Sequence, residues 1–444
     1  MRIRPTAQAT KTTNASEPAS KFSLRKLRGS LFRTSSLSLV GVPIALMANI
    51  ILARSLSVRD MGTFGFAISI STVLSIPATS GVPMMLTREV AKYSQHNNWG
   101  AYRGIVIAAH GWVIAMCAVM APVLIGWAWN SSDLGTGPLL VTFLLIPLMA
   151  FNGIRSGILN GLGHPVLALA PIQILHPSLL LIGYLGLFWL GRSVAMNALM
   201  WYWCAVAVTL GVGSLLLLRV RPPASQGVKA DLTELPRWGR SALPFFMISA
   251  AITVTPQIAV LLLGFTGQEE AVAELRVAER GSQIIWLPVV AANAILPPYF
   301  VHALKSELDG ALRRVAQQSA RLLLITTLPA ALLMLLFGDT LIGWTFGAPY
   351  DAVSYWPLVI LITAMIASVS LGESGLLLLI GGHEKQTLAG LIVSLIVSVA
   401  LGLLLIAPYG AVGAAFSAGT GMLSNKAYCY LAVWRHYGFS SAVI

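Results

Sequence analysis

Residues 155–159 read Arg155-Ser156-Gly157-Ile158-Leu159, and residues 373–377 read Glu373-Ser374-Gly375-Leu376-Leu377. A Gly-His step follows each stretch, at Gly163-His164 and at Gly382-His383. From position 155 to position 373 the offset is 218 residues, about half of the 444-residue chain. A repeat of this length predicts two related halves that face each other across a site. The matched position holds a cation in one copy and an anion in the other, so we expect functional residues there.

The composition indicates a membrane protein, because 56% of the residues are hydrophobic and only 10% are charged. A soluble domain has about 25% charged residues, and a chain this apolar has too little polar surface to stay in water. Runs of about 20 apolar residues, the length that crosses a bilayer, predict twelve membrane-spanning segments. They are expected near residues 34–55, 62–86, 104–128, 138–159, 166–190, 194–218, 241–265, 281–303, 318–338, 356–381, 387–407 and 411–434. The connections are too short for a soluble catalytic domain, and no nucleotide-binding or hydrolytic motif occurs, so we do not expect an enzyme.

The basic residues are distributed asymmetrically about these segments. With the N-terminus in the cytoplasm, 24 of the 29 Lys and Arg residues lie on that side of the membrane and 5 lie on the other. This bias predicts that both termini are cytoplasmic and that the number of spans is even. The net charge of +13 is therefore mostly a topology signal. Nucleic-acid binding is the weaker interpretation, because the charges are spread over many loops and form no single patch.

Six segments in each half make the repeats parallel, related by an axis along the membrane normal. The predicted fold is an all-α polytopic membrane protein with about twelve transmembrane helices, arranged as two parallel-repeat six-helix lobes around a central cavity. Its parts are a disordered basic cytoplasmic tail at 1–33, an N-terminal lobe at 34–218, a cytoplasmic linker at 219–240, a C-terminal lobe at 241–435 and a cytoplasmic tail at 436–444.

The fourth and tenth segments each carry a polar stripe. Asn152, Arg155 and Asn160 fall at i, i+3 and i+8, which a helix places on one face. Glu373 takes the charged position in the tenth segment, where serines lie three residues before it and one after it. A charge left in lipid costs about 3 kcal/mol, so both stripes should face protein or water. Three interpretations stay open: Arg155 attracts an anionic head group in a cavity between the halves, Arg155 and Glu373 form a structural bridge, or Glu373 is solvated at the cytoplasmic rim.

Other polar or helix-breaking residues lie within or at the ends of the segments. Arg88, at the end of segment 2, is either a phosphate contact at the cytoplasmic mouth or a topological anchor. His110 and His176 lie in the middle of segments 3 and 5, where a histidine either relays protons or, more often, is satisfied by a hydrogen bond. Pro43 and Pro256 each remove a helix hydrogen bond, in segments 1 and 7, which predicts paired kinks or hinges.

An acidic run with two arginines lies at the outer mouth of the eighth segment and comprises Glu269, Glu270, Glu274, Arg276, Glu279 and Arg280. A solvated helix start is the favoured interpretation, and a gate that releases an anionic product by repulsion is the alternative. The cysteines at positions 117, 204 and 429 lack metal-ligand spacing, so neither a metal site nor a cofactor is expected.

The N-terminal part of the chain resembles a known family. The first segment ends in Ile51-Leu52-Ala53-Arg54-Ser55-Leu56-Ser57, Asp60-Met61-Gly62-Thr63-Phe64-Gly65 follows, and the second segment ends in Leu86-Thr87-Arg88-Glu89-Val90-Ala91-Lys92-Tyr93. This pattern is similar to that of bacterial polysaccharide exporters, the O-antigen-type lipid-linked oligosaccharide flippases. They form part of the multidrug/oligosaccharidyl-lipid/polysaccharide exporter superfamily. In the second half, Ala273-Glu274-Leu275 replaces the Gly-Tyr that is usual in the family.

The resemblance implies two lobes that rock between inward-open and outward-open states in the bacterial inner membrane. It implies an undecaprenyl-pyrophosphate-linked oligosaccharide as substrate, moved from the cytoplasmic to the periplasmic leaflet. Membrane lipids and polysaccharide polymerase or assembly proteins are further expected partners, and a transmembrane H⁺ or Na⁺ gradient is the candidate driving force. An anion that crosses a hydrophobic barrier needs a cationic lining, for which Arg155 is the first candidate and Arg88 the second.

Two alternatives belong to other functional classes. A multidrug cation antiporter of the same superfamily would favour buried carboxylates in the N-terminal lobe, and segments 1 to 6 offer none in mid-membrane. A membrane polysaccharide polymerase or glycosyltransferase would need a sizeable outer loop with catalytic residues, whereas the loops of this chain are short.

Overall fold

The computed structural model describes residues 24–79, 81–130, 136–305 and 310–443, and these residues form helices joined by short turns, with no strand among them. The helices are α1 (Leu24–Ser55), α2 (Val58–Leu74), α3 (Ile76–Thr79), α4 (Val82–Gln95), α5 (Trp99–Asn130), α6 (Thr136–Gly161), α7 (Pro165–Ala170), α8 (His176–Trp189), α9 (Ala195–Val220), α10 (Leu235–Val254), α11 (Ile258–Phe265), α12 (Glu269–Lys305), α13 (Ala311–Phe346), α14 (Asp351–Ser370), α15 (Ser374–Ile380) and α16 (Glu384–Tyr437). A π-helical turn at Pro171–Leu175 joins α7 to α8, and a 3-10 turn at Thr255–Gln257 joins α10 to α11.

The helices are long and apolar enough for a multi-pass membrane protein. Within the described residues, eight helices reach the length and hydropathy of a membrane span, and a ninth is added if the bent pair Val58–Leu74 and Ile76–Gln95 is one span. The mean hydropathy of the whole chain, +0.78, agrees with this. The all-α membrane fold is thus confirmed, whereas the count of twelve crossings and the division into two lobes stay predictions.

One helix is interrupted by a glycine. α16 runs over 54 residues, but Gly410 inside it has φ 53° and ψ −126°. Glycine reaches this backbone conformation without steric clash because it has no Cβ. The interruption falls between the predicted segments 387–407 and 411–434, so both of them lie within α16.

The tenth predicted segment is also interrupted. α14 ends at Ser370 and α15 begins at Ser374, with Gly372 between them at a φ of 76°. A Cβ at Gly372 would lie 2.4 Å from the carbonyl oxygen of Ser441, so the C-terminal residues pack into this break. The predicted helical stripe around Glu373 is therefore wrong, because the helix register is lost immediately before that residue.

The two Gly-His steps of the repeat form the same turn. Gly163 and Gly382 have φ values of 82° and 78°. In both copies the N–H of the following histidine donates to the carbonyl five residues earlier at 2.9 Å. This bond ends each helix in the manner of a Schellman motif, with glycine in the left-handed position. The internal repeat is thus present in the local structure as well as in the sequence.

The two halves of the chain, residues 24–220 and 235–443, meet along a surface that we call the seam. It forms where α2 packs on α11 and α12 and where α1 packs on α12. A Cβ at Gly62 of α2 would lie 1.9 Å from the carbonyl oxygen of Glu269, so α2 and α12 touch backbone to backbone. We call the membrane face where both of these helices begin the second face, and the opposite face, where α1 begins, the first face.

The connection between the halves is bonded to α5 at the first face. Asp231 N donates to Gly100 O at 3.0 Å, and Arg103 donates to Val228 O at 2.6 Å. Hydrogen bonds from the side chain and the backbone N–H of Thr233 lower the pKa of the Asp231 carboxyl below its usual value. The connection is therefore held in place along its length.

The chain termini differ from the predicted tails. α1 begins at Leu24, so the last part of the tail predicted at 1–33 is helical, and residues 1–23 lie outside the described residues. The tail predicted at 436–444 begins inside α16 and then folds back, since Val443 N donates to Ser370 O at 3.1 Å.

Candidate functional site

Arg276 of α12 lies at the seam and binds both sides of it. Its Nη1 donates to Glu279 Oε2 at 2.7 Å, and its Nη2 donates to Gln257 Oε1 at 2.8 Å and to Ser69 Oγ. Ser69 belongs to α2, whereas Gln257 belongs to the turn between α10 and α11. The side chain of Arg276 is only 12% exposed. One guanidinium therefore joins the N-terminal half to the interrupted helix of the C-terminal half.

Arg280 follows one helical turn later and faces a cavity of about 300 Å³. Its Nη1 donates to Gln283 Oε1 at 3.2 Å. Among the described residues no carboxylate forms an ion pair with Arg280. A guanidinium in such a place attracts any anion that reaches the cavity.

The cavity lies where α12 meets α1, α2, α8 and α9, and its wall contains polar atoms without partners. The ring of His176 lies 5.2 Å from that of Tyr202, edge to face. The Nε2 atom of His176 and the hydroxyl of Tyr184 are buried and have no hydrogen-bond partner among the described residues. Buried polar atoms are nearly always paired, so both are candidates for a hydrogen bond to a water or a ligand atom. Further lining residues include Gly41, Asn49, Phe64 and Ile68.

An irregular turn contributes to this wall. Residues Pro171–Leu175 form a π-helical turn, and His176 begins α8 immediately after it. Gly41 of α1 allows the close approach, since a Cβ there would lie 2.0 Å from the carbonyl oxygen of Gln173. Single π-turns inside helices occur frequently at functional sites. The turn brings His176 to the cavity from an otherwise apolar helix.

We call Arg276, Arg280, His176, Tyr184 and Tyr202 the seam cluster. Guanidinium and phenol groups donate charge-assisted or strong hydrogen bonds to phosphate and carboxylate oxygens. The only carboxylate bound to either arginine within the described residues belongs to Glu279, on the same helix. The cluster can therefore bind an anionic group in contact with both halves of the chain.

The sequence interpretation missed the two arginines of this cluster. It placed Arg276 and Arg280 in a solvated helix start, but the beginning of α12 is packed into the seam. A signal was present, because the two arginines are spaced i, i+4 among apolar residues. Five of these residues have no exposed surface: Val272, Ala273, Leu275, Val277 and Ala278.

The structure places Arg155 inside the N-terminal half. It is 2% exposed, its Nη2 donates to Ala168 O at 3.2 Å, and its Nε and Nη1 have no partner in the described part of the chain. Its guanidinium lies against Gly213 of α9, where a Cβ would come within 2.4 Å of it. Asn152 also faces α9 and bonds to Val206 O at 3.5 Å, whereas Asn160 is half-buried one residue from the end of α6. The predicted position of this stripe between the halves is corrected, because α6 turns it toward α9.

Glu373 does not pair with Arg155 in the structure. Its Oε2 accepts a hydrogen bond from Lys426 Nζ of α16 at 3.0 Å, and the two side chains are 5% and 14% exposed. The Arg155–Glu373 bridge is thus replaced by an ion pair inside the C-terminal half. Sequence reasoning missed Lys426, which lies in the twelfth segment and belongs to no repeat motif.

Arg88 lies at the first face and contacts the other half. Its guanidinium bonds to Glu89 Oε1 at 2.8 Å and lies 5.4 Å from the ring centre of Phe245 in α10. Glu89 is 2% exposed, so a buried carboxylate exists in the N-terminal half, although Arg88 neutralises it. The predicted phosphate contact at Arg88 stays a prediction.

The remaining candidates lie apart from the seam cluster or interrupt helices. His110 bonds through Nδ1 to Val106 O at 2.7 Å and stacks on Phe151, which is the ordinary hydrogen-bonded arrangement. Pro256 lies in the turn that separates α10 from α11, whereas α1 continues through Pro43. The two predicted hinge residues thus differ in local structure. In the described part of the chain no group of three or more His, Cys, Asp or Glu residues could hold a metal ion.

Comparison with known proteins agrees with this architecture. Residues 28–303 match the model of a family described as polysaccharide biosynthesis protein. The fold is similar to that of the lipid II flippase MurJ in an inward closed conformation, with a TM-score of 0.74 and 12% identity over 90% of this chain and 87% of that one. It is also similar to a multidrug resistance MATE family transporter of the MOP superfamily in an inward-facing conformation, with a TM-score of 0.71 and 14% identity over 91% and 98% of the two chains. A MOP superfamily transporter from Pyrococcus furiosus gives a TM-score of 0.64 and 13% identity over 92% and 95%. No curated protein matches the sequence.

Proposed function

The chain belongs to the polysaccharide biosynthesis protein family, and we propose that it moves an undecaprenyl-pyrophosphate-linked oligosaccharide across the cytoplasmic membrane of a bacterium by alternating access. Its fold is that of multi-span transporters of the MOP superfamily. The first face is cytoplasmic in this proposal, in keeping with the excess of Lys and Arg on that side.

The observation that carries the proposal is the position of Arg280. The guanidinium faces a cavity at the seam, without an ion pair among the described residues and beside the unpartnered hydroxyl of Tyr184. A pyrophosphate has acceptor oxygens for both groups. Because the cavity is lined by helices of both halves, an anion bound there is contacted by the two parts that would move relative to each other.

The contact between the halves at the second face supports the direction of the cycle. α2 and α12 touch backbone to backbone there, at Gly62 and Glu269, so a substrate at the seam cluster cannot pass directly between these two helices in this state. Rocking of the halves would separate α2 from α12 and release the substrate on the second face. A transmembrane H⁺ or Na⁺ gradient would drive the return, and polysaccharide polymerase or assembly proteins would receive the glycan.

A multidrug cation antiporter is the second candidate, since the fold is also that of a MATE family transporter. The charge of the cavity argues against it, because a cationic drug would be repelled by Arg280, which forms no ion pair among the described residues. The buried carboxylate of Glu89 is a poor binding group for a cationic drug, because Arg88 already binds it at 2.8 Å. A polymerase or glycosyltransferase activity has no observation in its favour.

The proposal is tested by reconstituting the purified chain in liposomes with a fluorescent undecaprenyl-pyrophosphate-linked oligosaccharide and measuring its arrival in the opposite leaflet with a membrane-impermeant quencher. Arg280→Gln should lower the initial rate at least about tenfold. A hydrogen bond to a charged group contributes about 1.5–3 kcal/mol, and about 1.4 kcal/mol corresponds to a factor of ten.

Arg192→Gln is the matched control, because Arg192 is an exposed arginine near the second face and its loss removes the same charge. It should leave the rate unchanged within about twofold, as expected for a surface substitution. Equal rates for Arg280→Gln and the unchanged protein would exclude an anion-binding role for the seam cluster.

A further inference from the structure

A second cavity, of about 500 Å³, lies between α4, α5 and α10. We call it the lateral cleft. Its lining includes Val82 and Met85 of α4, Trp112 of α5, and Gly239 and Leu243 of α10. α10 belongs to the C-terminal half and the other two helices to the N-terminal half, so the cleft lies between the halves on helices other than the seam helices α1, α2 and α12.

Two contacts between α4 and α10 limit the lateral cleft at its ends. Toward the membrane centre, a Cβ at Gly81 would lie 2.5 Å from Phe246 N. Toward the first face, the hydroxyl of Tyr93 donates to Glu234 Oε2 at 2.6 Å and accepts from Trp238 Nε1 at 2.8 Å. Between these contacts the helices leave a gap, and the lateral cleft is that gap.

The occupant of the lateral cleft needs no hydrogen bonds. The two indole N–H groups in its wall are already bonded, Trp112 Nε1 to Pro77 O at 3.0 Å and Trp238 Nε1 to Tyr93. All other lining side chains are aliphatic or aromatic hydrocarbon, methionine or glycine. An apolar cavity of about 150 Å³ already holds a benzene-sized molecule, so the lateral cleft has room for a considerably longer hydrocarbon.

A cationic face lies beside this apolar space. Arg88 and Lys92, one and two turns after Met85 on α4, are both exposed. Arg88 is paired with Glu89 at 2.8 Å, whereas Lys92 forms no ion pair among the described residues. Arg88 lies over Phe245, the neighbour of the cleft residue Phe246. Hydrocarbon on one side and cations toward the first face match a lipid with an anionic head group and a long unbranched or prenyl chain.

We propose that the lateral cleft binds the polyprenyl chain of the anionic lipid substrate, with the head group directed toward the Arg88 and Lys92 side of α4. This rests on the proposed function for the identity of the lipid. The chain would stay in the gap between α4 and α10, on the hydrocarbon side of the protein, while its head group enters the space between the halves. The bulky apolar tail then avoids the polar seam cluster.

The test uses the full chain in phosphatidylcholine nanodiscs and a polyprenyl phosphate that carries a diazirine in its isoprenoid chain. After irradiation, mass spectrometry should locate adducts within residues 105–112 of α5 and 235–246 of α10. An excess of unlabelled polyprenyl phosphate should remove these adducts, and the same excess of dioleoyl phosphatidylglycerol should not. Removal by both lipids would mean that ordinary acyl chains occupy the lateral cleft, which overturns the proposal.

Gly239→Leu adds a hydrocarbon side chain to the wall of the lateral cleft, at a position where no heavy atom of the described residues lies within 4 Å of a Cβ. It should lower the adduct yield at least about tenfold, the factor expected when about two methylene groups are excluded from an apolar site. Gly211→Leu is the control, since Gly211 is also an exposed helical glycine with no atom within 4 Å and lies on α9, away from the lateral cleft.

The outcomes separate this proposal from the proposed function. Specific adducts that persist in Gly239→Leu, or that map to other helices, would overturn the cleft assignment while the chain remained a polyprenyl lipid binder. No specific adduct anywhere in the chain, together with an unchanged flipping rate for Arg280→Gln, would overturn both.

Discussion

Arg59 of α2 binds Glu269 of α12 with 2.8 Å between Nε and Oε2, on the face of the membrane where both helices begin. The pair bridges the two halves of the chain, since α2 precedes and α12 follows the connection at residues 221–234. It lies one turn from Gly62, where the two backbones touch. The ion pair and the glycine contact together hold α2 against α12 at the second face.

A covalent link in place of this ion pair should stop transport. With the three native cysteines replaced, Arg59→Cys and Glu269→Cys joined by a short bifunctional thiol reagent should hold the second face closed. The flipping rate in liposomes should fall to the background of protein-free vesicles and return after reduction. Either cysteine alone, treated with the same reagent, should retain activity. Continued flipping by the linked protein would show that α2 and α12 need not separate.

Gly62→Ala should disfavour the closed second face. The added methyl group would meet the carbonyl of Glu269 at 1.9 Å, a contact that requires the two helices to move apart. Overpacking of this kind costs about 1–3 kcal/mol, which shifts a two-state population about 5-fold to more than 100-fold. The readout is the yield of the Arg59→Cys/Glu269→Cys cross-link, which should fall at least about fivefold.

Gly111→Ala provides the control for this prediction, because a Cβ at Gly111 has no neighbour within 4 Å. Its cross-link yield should equal that of the parent. An unchanged yield in Gly62→Ala would mean that α2 and α12 adjust locally, and the backbone contact would then not control the closed state.

Glu373→Gln should destabilise the protein more than loss of the whole ion pair. It leaves the ammonium of Lys426, 14% exposed, without its partner at 3.0 Å. Breaking a buried pair from one side costs about 3–5 kcal/mol, whereas replacing both members with uncharged residues is often close to neutral. Thermal unfolding in detergent should therefore rank Glu373→Gln lowest, and Glu373→Gln with Lys426→Met near the parent. The opposite order would contradict a structural role for the pair.

Arg155→Met should preserve both stability and export. Two nitrogens of its guanidinium have no partner, and the group lies against Gly213, away from the seam. Replacement of such a buried ion by a hydrocarbon of similar length should change the free energy of unfolding by less than about 1 kcal/mol or raise it. The flipping assay should show at least about half of the parent rate, in contrast to Arg280→Gln. Loss of export in a folded Arg155→Met protein would contradict this prediction and indicate that Arg155 acts on the substrate.

The repeat, the helical class and the membrane setting could be predicted from the sequence because they depend on local signals. Hydrophobic runs determine spans, and the Gly-His steps determine two turns of the same type, at Gly163 and at Gly382. Gly410 divides α16 between two segments that hydropathy had already separated. In each case neighbouring residues carry enough information for the inference.

Functional positions were harder to predict, because they depend on which faces of distant helices meet. The polar stripe of Arg155 was real, but periodicity alone cannot say whether it faces the other half or α9. The sequence interpretation assigned Arg276 and Arg280 to a solvated helix start, because an arginine near the end of a segment is usually exposed to water. Lys426 was overlooked because it is a single cation in an apolar segment. No local sequence pattern identifies Glu373 as its partner.

The connection between the halves is held by hydrogen bonds at the first face. Val228 and Asp231 are bonded to the start of α5, and Tyr93 is bonded to Glu234 and Trp238 at the base of α10. The chain that joins the two halves is therefore fixed in position at the first face. A flexible connection would allow the halves to translate apart, whereas a connection that is fixed in place limits translation and leaves rotation about its point of attachment. We therefore expect tilting, rather than sliding, as the relative motion of the two halves.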